Sequence, residues 1–235
     1  MPRKRKPVEV KVLVVDIGGT HVKFQVPLPP DQDQPERRAF DSGSELSPGS
    51  MVEQLLAQTQ DWECEAVTLG YPGPVGDNRI LAEPANLGPG WVDFDFGAAF
   101  GKPVRLINDA AMQALGSYQG GKLLFLGLGT GLGTAMVFPQ QIVPLELAHL
   151  PFRKATFEDY VGLRGLEKYG KKKWRKRVSE VIGLLRAALV ADDVVLGGGQ
   201  TKKLKELPEG CRLGDNANAF LGGYRLWNEP QGPRL

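Results

Sequence analysis

Short apolar runs of strand length recur along the chain, and two of them stop at glycine-rich turns before the apolar pattern resumes. Val12 to Val15 leads into Asp16-Ile17-Gly18-Gly19-Thr20, and a second apolar stretch follows. Leu123 to Leu126 leads into Gly127-Leu128-Gly129-Thr130-Gly131-Leu132-Gly133-Thr134, and Ala135 to Phe138 is apolar again. Each pattern predicts a strand, a glycine turn and a second strand. Pro27 to Gln34 reads as a loop or hairpin tip, and Val67-Thr68-Leu69-Gly70 as a strand. Ser47-Pro48-Gly49-Ser50 supplies helix-start residues ahead of an apolar-periodic segment through about Thr59. Asp93 to Phe100 predicts a short helix stopped by Gly101 and Pro103. Phe157 to Lys168 and Lys171 to Leu189 predict two more helices. In the second, Trp174, Val178, Val181, Ile182, Leu185 and Leu189 share one face, which is core packing rather than a ligand platform. The alternation of strands and helices argues for an α/β protein with a mixed sheet in each half.

The glycine turns bring candidate chemistry. Glycines let backbone approach an anion closely, bare N–H groups and the Thr20 hydroxyl supply donors, and Asp16 can hold a Mg²⁺-bound water. A lone Asp-x-Gly-Gly-Thr also fits an ordinary hairpin, so the second turn carries the argument. Two such loops a little over a hundred residues apart suggest a duplicated architecture gripping one polyphosphate chain. Between them, a strand from Val104 ends in Asn108-Asp109 at the start of a helix. A carboxylate there is well placed to accept a proton from a hydroxyl, and an Asn-Asp pair there also serves as a helix cap. A third cluster, Gly197-Gly198-Gly199, follows a strand and precedes a helical pattern, as a nucleotide-base pocket would.

Composition narrows this only slightly. The 235 residues carry a net charge of +2, and the apolar and charged fractions are ordinary for a globular protein. Cys64 and Cys211 lie far apart, which supports neither a disulfide framework nor a metal cluster. No apolar stretch reaches membrane-spanning length and the start lacks a signal core, so a cytoplasmic protein without a membrane partner is expected. A basic tail, Arg3-Lys4-Arg5-Lys6, is expected to be disordered. The run Lys171-Lys172-Lys173-Trp174-Arg175-Lys176-Arg177 reads either as the solvated face of its helix or as a landing strip for a linear polyanion.

In this order the motifs resemble the sugar kinases of the ROK group (repressors, open reading frames, kinases), within the sugar kinase, Hsp70 and actin superfamily. The similarity runs from about Val12 to Trp227 and is greatest to the polyphosphate-using glucokinases. It takes in both glycine loops, Tyr71-Pro72-Gly73-Pro74-Val75, Pro84-Ala85-Asn86-Leu87 with Trp91, and Asn108-Asp109. It continues through Glu146-Leu147-Ala148-His149, Phe157-Glu158-Asp159-Tyr160-Val161-Gly162, Leu196-Gly197-Gly198-Gly199 and Leu213-Gly214-Asp215-Asn216-Ala217. The resemblance implies a two-domain actin-like ATPase (ribonuclease H-like) fold. Residues 1–107, joined by a last helix at 217–227, would form the half with the first phosphate loop, and 108–216 the half with the second.

It also implies roles. Asp109 would be the general base for the 6-hydroxyl of glucose or a similar hexose. Asn86, Asn108, Glu146, His149 and Glu158 would hydrogen-bond the other hydroxyls. Gly18, Gly19, Thr20, Lys23, Gly129, Thr130 and Gly131 would cradle phosphates, Gly197, Gly198 and Gly199 would lie on the nucleotide side, and Asp16 would hold Mg²⁺ through water. The donor would be polyphosphate, ATP or both, and the protein a homodimer whose halves close on the sugar. Many members carry a cysteine-rich zinc site after the histidine. Leu150-Pro151-Phe152-Arg153-Lys154-Ala155-Thr156 follows His149 instead, so no zinc is expected. Nor is a nucleic-acid partner, because the few residues before Val8 cannot form the DNA-binding domain of the repressor members. An ATP-only kinase for another hexose or N-acetylhexosamine, and a catalytically idle sugar-binding protein, are the competing readings. His21, in the first loop, would add a phosphate donor, narrow the site or do nothing.

Overall fold

The structure is a computed structural model that describes residues 9–215 and 217–229. The chain divides into two compact units, and the dividing points fall at Ile107/Asn108 and at Gly222/Gly223. The basic tail at Arg3–Lys6 and Asn216 lie outside the described residues. No helix among the described residues is long and apolar enough to cross a membrane.

The first unit is built on β1 (Val12–Ile17), β2 (His21–Gln25), β3 (Arg38–Asp41), β4 (Ala66–Tyr71) and a fifth sheet strand, β7 (Val104–Asn108). Helix α1 (Pro48–Gln58), a small hairpin of β5 (Val75–Gly76) with β6 (Arg79–Ile80), and α2 (Phe96–Phe100) fill the intervals. The sheet order is β3-β2-β1-β4-β7, antiparallel from β3 to β1 and parallel from β1 to β4. Every residue of β4 is buried, the expected pattern for an interior parallel strand. Leu13, Val15, Phe24, Met51, Leu55, Leu69, Tyr71 and Trp91 belong to the core. Ser47 caps α1 and exchanges hydrogen bonds with Ser50, a capping box that Pro48 at the first turn reinforces.

Helix α2 is shorter than the pattern predicts. Asp93 has a positive φ of 61°, which no helix accommodates, so the helix begins only where Asp95 caps it and ends at Gly101 in the left-handed region. The closing helix contributes to this unit from Gly223 onward. Gly223 lies against Val14, Thr68 donates its hydroxyl hydrogen to the Gly223 carbonyl at 3.0 Å, and the Trp227 indole N–H donates to the same hydroxyl at 3.0 Å.

The second unit opens with α3 (Asp109–Ser117) and a sheet of β8 (Leu123–Leu128), β9 (Leu132–Phe138) and β10 (Gln141–Leu145). A 3₁₀ turn at Leu147–His149 and the pair β11 (Pro151–Phe152) and β12 (Ala155–Thr156) lead to α4 (Phe157–Val161) and α5 (Leu163–Leu189). After them come β13 (Asp193–Gly197), a second 3₁₀ turn at Gly199–Lys203, β14 (Cys211–Leu213) and the closing helix α6 (Asn218–Asn228). The sheet order is β10-β9-β8-β13-β14, antiparallel to β8 and parallel beyond it, so both sheets repeat one plan.

Trp174, Val178, Val181, Ile182 and Leu185 are buried against this sheet, as the stripe predicts, while Leu189 is only partly covered. The helix expected over Phe157–Lys168 is instead two helices broken at Gly162, whose backbone is extended. A Cβ on Gly162 would lie 2.7 Å from the Thr130 carbonyl oxygen, so the glycine loop presses into the helix break. A second irregularity at Gly170, with φ 70°, interrupts α5 between the two predicted segments. The helical pattern after Gly197-Gly198-Gly199 is a 3₁₀ turn rather than an α-helix.

Candidate functional site

In the first unit the β1–β2 turn is held open by a few polar contacts. The Gly18 N–H donates to the His21 carbonyl at 3.0 Å, and a Cβ on Gly18 would lie 2.9 Å from that oxygen, which excludes larger residues. Ser42, just past β3, donates its hydroxyl to the Gly18 carbonyl at 2.7 Å and its N–H to the Thr20 carbonyl at 3.0 Å. Thr20 and Gly19 remain exposed. Asp16 is the penultimate residue of β1 and pairs in register with Lys23 of β2. Burial raises its carboxyl pKa, and Lys23 and Arg37 counter that only in part. The His21 imidazole lies 3.3 Å from the exposed Asp41 carboxylate, its cross-strand neighbour.

Asn86 stands beside this turn: a Cβ on Gly19 would be 3.3 Å from the Asn86 Cβ. The loop bearing Asn86 is closed by Glu83, whose carboxylate accepts N–H bonds from Gly90, Trp91 and Val92 at 3.0, 3.2 and 3.1 Å. Those bonds hold the Glu83 carboxyl below the usual carboxylate range. Trp91 is fully buried against Tyr71 and donates its indole N–H to the Gly88 carbonyl at 2.7 Å, which anchors the far side.

The second unit gathers more of the candidates. The Leu163 N–H donates to the Gly129 and Thr130 carbonyls at 3.2 and 3.1 Å, seating the β8–β9 turn on the start of α5. A Cβ on Gly131 would come within 2.6 Å of a Glu158 carboxylate oxygen. Glu158 and Glu146 flank His149, each with a carboxylate oxygen 3.8 Å from one imidazole nitrogen. Gly131, Glu146, His149 and Glu158 thus form one cluster of acceptors and donors, with Glu158 its least exposed charged side chain.

Asn108 and Asp109 start α3. Asn108 is buried and its side-chain oxygen caps the helix by accepting from the Ala111 N–H at 3.0 Å, so the cap reading holds for that residue. Asp109, at the first helical position, is half-buried and accepts the Ala110 N–H at 2.7 Å. Ala110 packs over Gly133, where an added Cβ would approach its own Cβ to 3.0 Å, so the first turn of α3 sits on the strand that leaves the second glycine turn. Gly198, with φ 84°, lies against the backbone of Leu128, bringing the Gly197–Gly199 cluster to the same turn.

The structure therefore collects Asp16, Lys23, Gly18, Gly19, Thr20 and Asn86 in the first unit. It collects Asn108, Asp109, Gly129, Thr130, Gly131, Glu146, His149, Glu158 and the third glycine cluster in the second. Sequence reading missed Ser42, Glu83 and Gly162. For Glu83, the following Pro84, Gly88, Pro89 and Gly90 mark a loop but do not mark which backbone groups the carboxylate anchors. No group of three or more His, Cys, Asp or Glu side chains among the described residues is placed to hold a metal ion.

The fold is that of the actin-like ATPases, a mixed α/β architecture with two mixed sheets. The ROK family pattern matches residues 12–144, and the chain belongs to the ROK family. It is 26% identical to a polyphosphate glucokinase of Mycobacterium leprae over 148 residues, covering 57% of this chain and 45% of that protein. It is 28% identical to a polyphosphate glucokinase of Mycobacterium tuberculosis, with 57% and 56% covered. The chain thus spans about half the length of the curated relatives it matches. Among solved structures, the inorganic polyphosphate/ATP-glucomannokinase of an Arthrobacter species superposes with a TM-score of 0.77 at 21% identity, covering 92% of this chain and 97% of that one. A ROK glucokinase of Streptomyces griseus, in complex with glucose and AMPPNP, gives 0.74 at 16%, with 93% and 99% covered.

Proposed function

We propose that the chain is a sugar kinase that transfers a phosphoryl group from polyphosphate, ATP or both to the 6-hydroxyl of glucose. The observation that carries this reading is the assembly around the second glycine turn. Glu146, His149 and Glu158 stand together beside Gly131, while the helix led by Asp109 packs on Gly133. Two carboxylates and an imidazole match the alternating donors and acceptors of a hexose. A carboxylate at a helix start beside a phosphate-type loop has the chemistry of a general base in phosphoryl transfer, where positioning and charge stabilisation do most of the work.

In this reading Asp109 takes the proton of the attacking hydroxyl, and Asn86, Asn108, Glu146, His149 and Glu158 orient the sugar. Gly18, Gly19, Thr20 and Lys23, together with Gly129, Thr130 and Gly131, bind the phosphates, and Gly197, Gly198 and Gly199 serve the nucleotide side. Asp16 fits Mg²⁺, because its half-buried carboxyl is desolvated with only partial cationic compensation, and Mg²⁺ commonly takes one or two protein carboxylates and completes its shell with phosphates and water. When bound, the ion would supply charge neutralisation to the phosphates. A homodimer in the cytoplasm, without zinc, accompanies the proposal.

The test is a coupled assay for glucose 6-phosphate with purified protein, glucose and Mg²⁺, run first with polyphosphate and then with ATP. Turnover with either donor supports the sugar kinase and assigns its donor. Silence with both donors across a panel of hexoses and N-acetylhexosamines would sink it in favour of a sugar-binding protein.

A further inference from the structure

The basic run on α5 acquires a partner in three dimensions. Arg175 donates its Nε–H to the Lys203 carbonyl at 2.7 Å, which fastens the helix to the 3₁₀ turn Gly199–Lys203. Lys171 and Lys172 stand one turn before Arg175 on the same side of α5, at the spacing of helical neighbours. Lys171, Lys172, Lys202 and Lys203 are exposed, and among the described residues none of the four has a carboxylate within ion-pairing distance. The nearest acids along α5 do not neutralise them: Glu180 is taken by Arg153 and Arg177 at 2.6 and 2.9 Å, and Glu167 precedes the run.

Both cationic elements begin at the second glycine turn. Helix α5 starts at Leu163, whose N–H is bonded to the Gly129 and Thr130 carbonyls, and the 3₁₀ turn starts beside Gly198, which lies on Leu128. They leave that turn separately and are joined again at Arg175–Lys203. The five residues of the 3₁₀ turn Gly199–Lys203 advance about 10 Å at about 2 Å per residue. The cations therefore line two elements that run outward from the glycine turn and meet at Arg175–Lys203.

We infer that Lys171, Lys172, Arg175, Lys202 and Lys203 form a track for a chain of inorganic polyphosphate extending outward from the Gly129–Gly131 turn. This rests on the reading of that turn as a phosphate loop. Polyphosphate fits better than nucleic acid because the surface offers charge without stacking. Trp174, the aromatic within the run, is fully buried with its indole N–H on the Val161 carbonyl, and Tyr169 is stacked on Tyr160. Single-stranded nucleic acids are held by aromatic platforms as well as cations, and a bare phosphate chain needs only the cations.

The experiment measures direct binding of long-chain polyphosphate and of tripolyphosphate to the full chain over a range of salt. It compares wild type with the combined variant Lys171→Gln, Lys172→Gln, Lys203→Gln. A control variant removes the same number of lysines elsewhere, at Lys11, Lys102 and Lys122. The track variant should bind the long chain about tenfold or more weakly, and its log–log salt slope should fall by roughly 2, at ~0.7 per cation as for a single-stranded polyanion. Tripolyphosphate affinity and the control variant should stay within about twofold of wild type. Equal losses for both polyphosphates, equal losses in the control, or no loss at all would overturn the track. So would an RNA of equal charge that binds more tightly than polyphosphate and is lost in parallel. Because binding is read directly, the track can stand while the coupled assay is silent, and it can fail while glucose is phosphorylated.

Discussion

The two glycine turns occupy the same place in the same sheet plan, yet they hold charge in opposite ways. At the penultimate position of the strand, β1 carries Asp16 and β8 carries Gly127. Across the ladder, Asp16 faces Lys23, while Gly127 faces Gly133. The first turn therefore owns a half-buried carboxylate with a cation opposite. The second has stripped its strands to backbone and receives its carboxylate from outside, when α4 delivers Glu158 against Gly131. The same sheet plan thus carries its charge on a strand in one half and on a helix in the other. Ser42 braces the first turn from an edge strand, whereas Leu163 clamps the second from a helix start.

The comparison can be broken at several points. The largest effect is expected from Asp109→Asn, which keeps the acceptor for the Ala110 N–H and removes the base; turnover should fall by about 10²–10⁴ with sugar binding retained. Unchanged turnover would remove Asp109 from the mechanism. Glu158→Gln should raise the KM for the sugar about ten- to hundredfold, the cost of losing a charged hydrogen bond. A smaller change than in the matching Asp16→Asn variant would contradict the assignment of sugar to the second turn.

Gly162→Ala should destabilise by about 1–3 kcal/mol, because the backbone of Thr130 cannot move aside, and Gly19→Ala by less than about 1 kcal/mol, because it meets only the Asn86 side chain. Denaturant midpoints of the two variants decide whether the second turn is the more rigidly seated. The subtlest effect is on the stability of Asp16→Asn. A carboxyl whose pKa is raised by folding contributes stability that is full below its ordinary pKa and is lost as pH rises through the raised value. Asp16→Asn should thus melt higher than wild type at neutral pH, with the gap closing as pH falls into the carboxylate range. A gap that widens on acidification would contradict the desolvation of that carboxyl.

Both hairpins were legible in the sequence because a glycine turn between apolar runs is a local signal, and the stripe from Trp174 to Leu185 was legible because helical period is local too. The break at Gly162 was not. Its cause is the Thr130 carbonyl, thirty-two positions away, pressing where a side chain would otherwise go. The late start of α2 turns on the left-handed backbone of Asp93, which composition does not announce. Glu83 escaped for a related reason: its partners are backbone N–H groups, and any sequence at 90–92 other than proline offers the same donors. Of the Asn108-Asp109 pair, Asn108 takes the cap, a division between neighbours that the sequence leaves open.

The division of α6 between the units sets an order on biosynthesis. The first unit is discontinuous: its sheet is complete by β7, but Gly223 and Trp227, which satisfy the buried Thr68 hydroxyl and cover Val14, come from the end of the described chain. At typical elongation rates of 5–20 residues per second, the interval between Ile107 and Gly223 lasts on the order of ten seconds. For that time the nascent first sheet carries an uncovered patch at Val14 and Thr68 while the second unit, continuous from Asn108 to Gly222, is still being made. The early-made half thus gains these last contacts only when the late-made helix arrives.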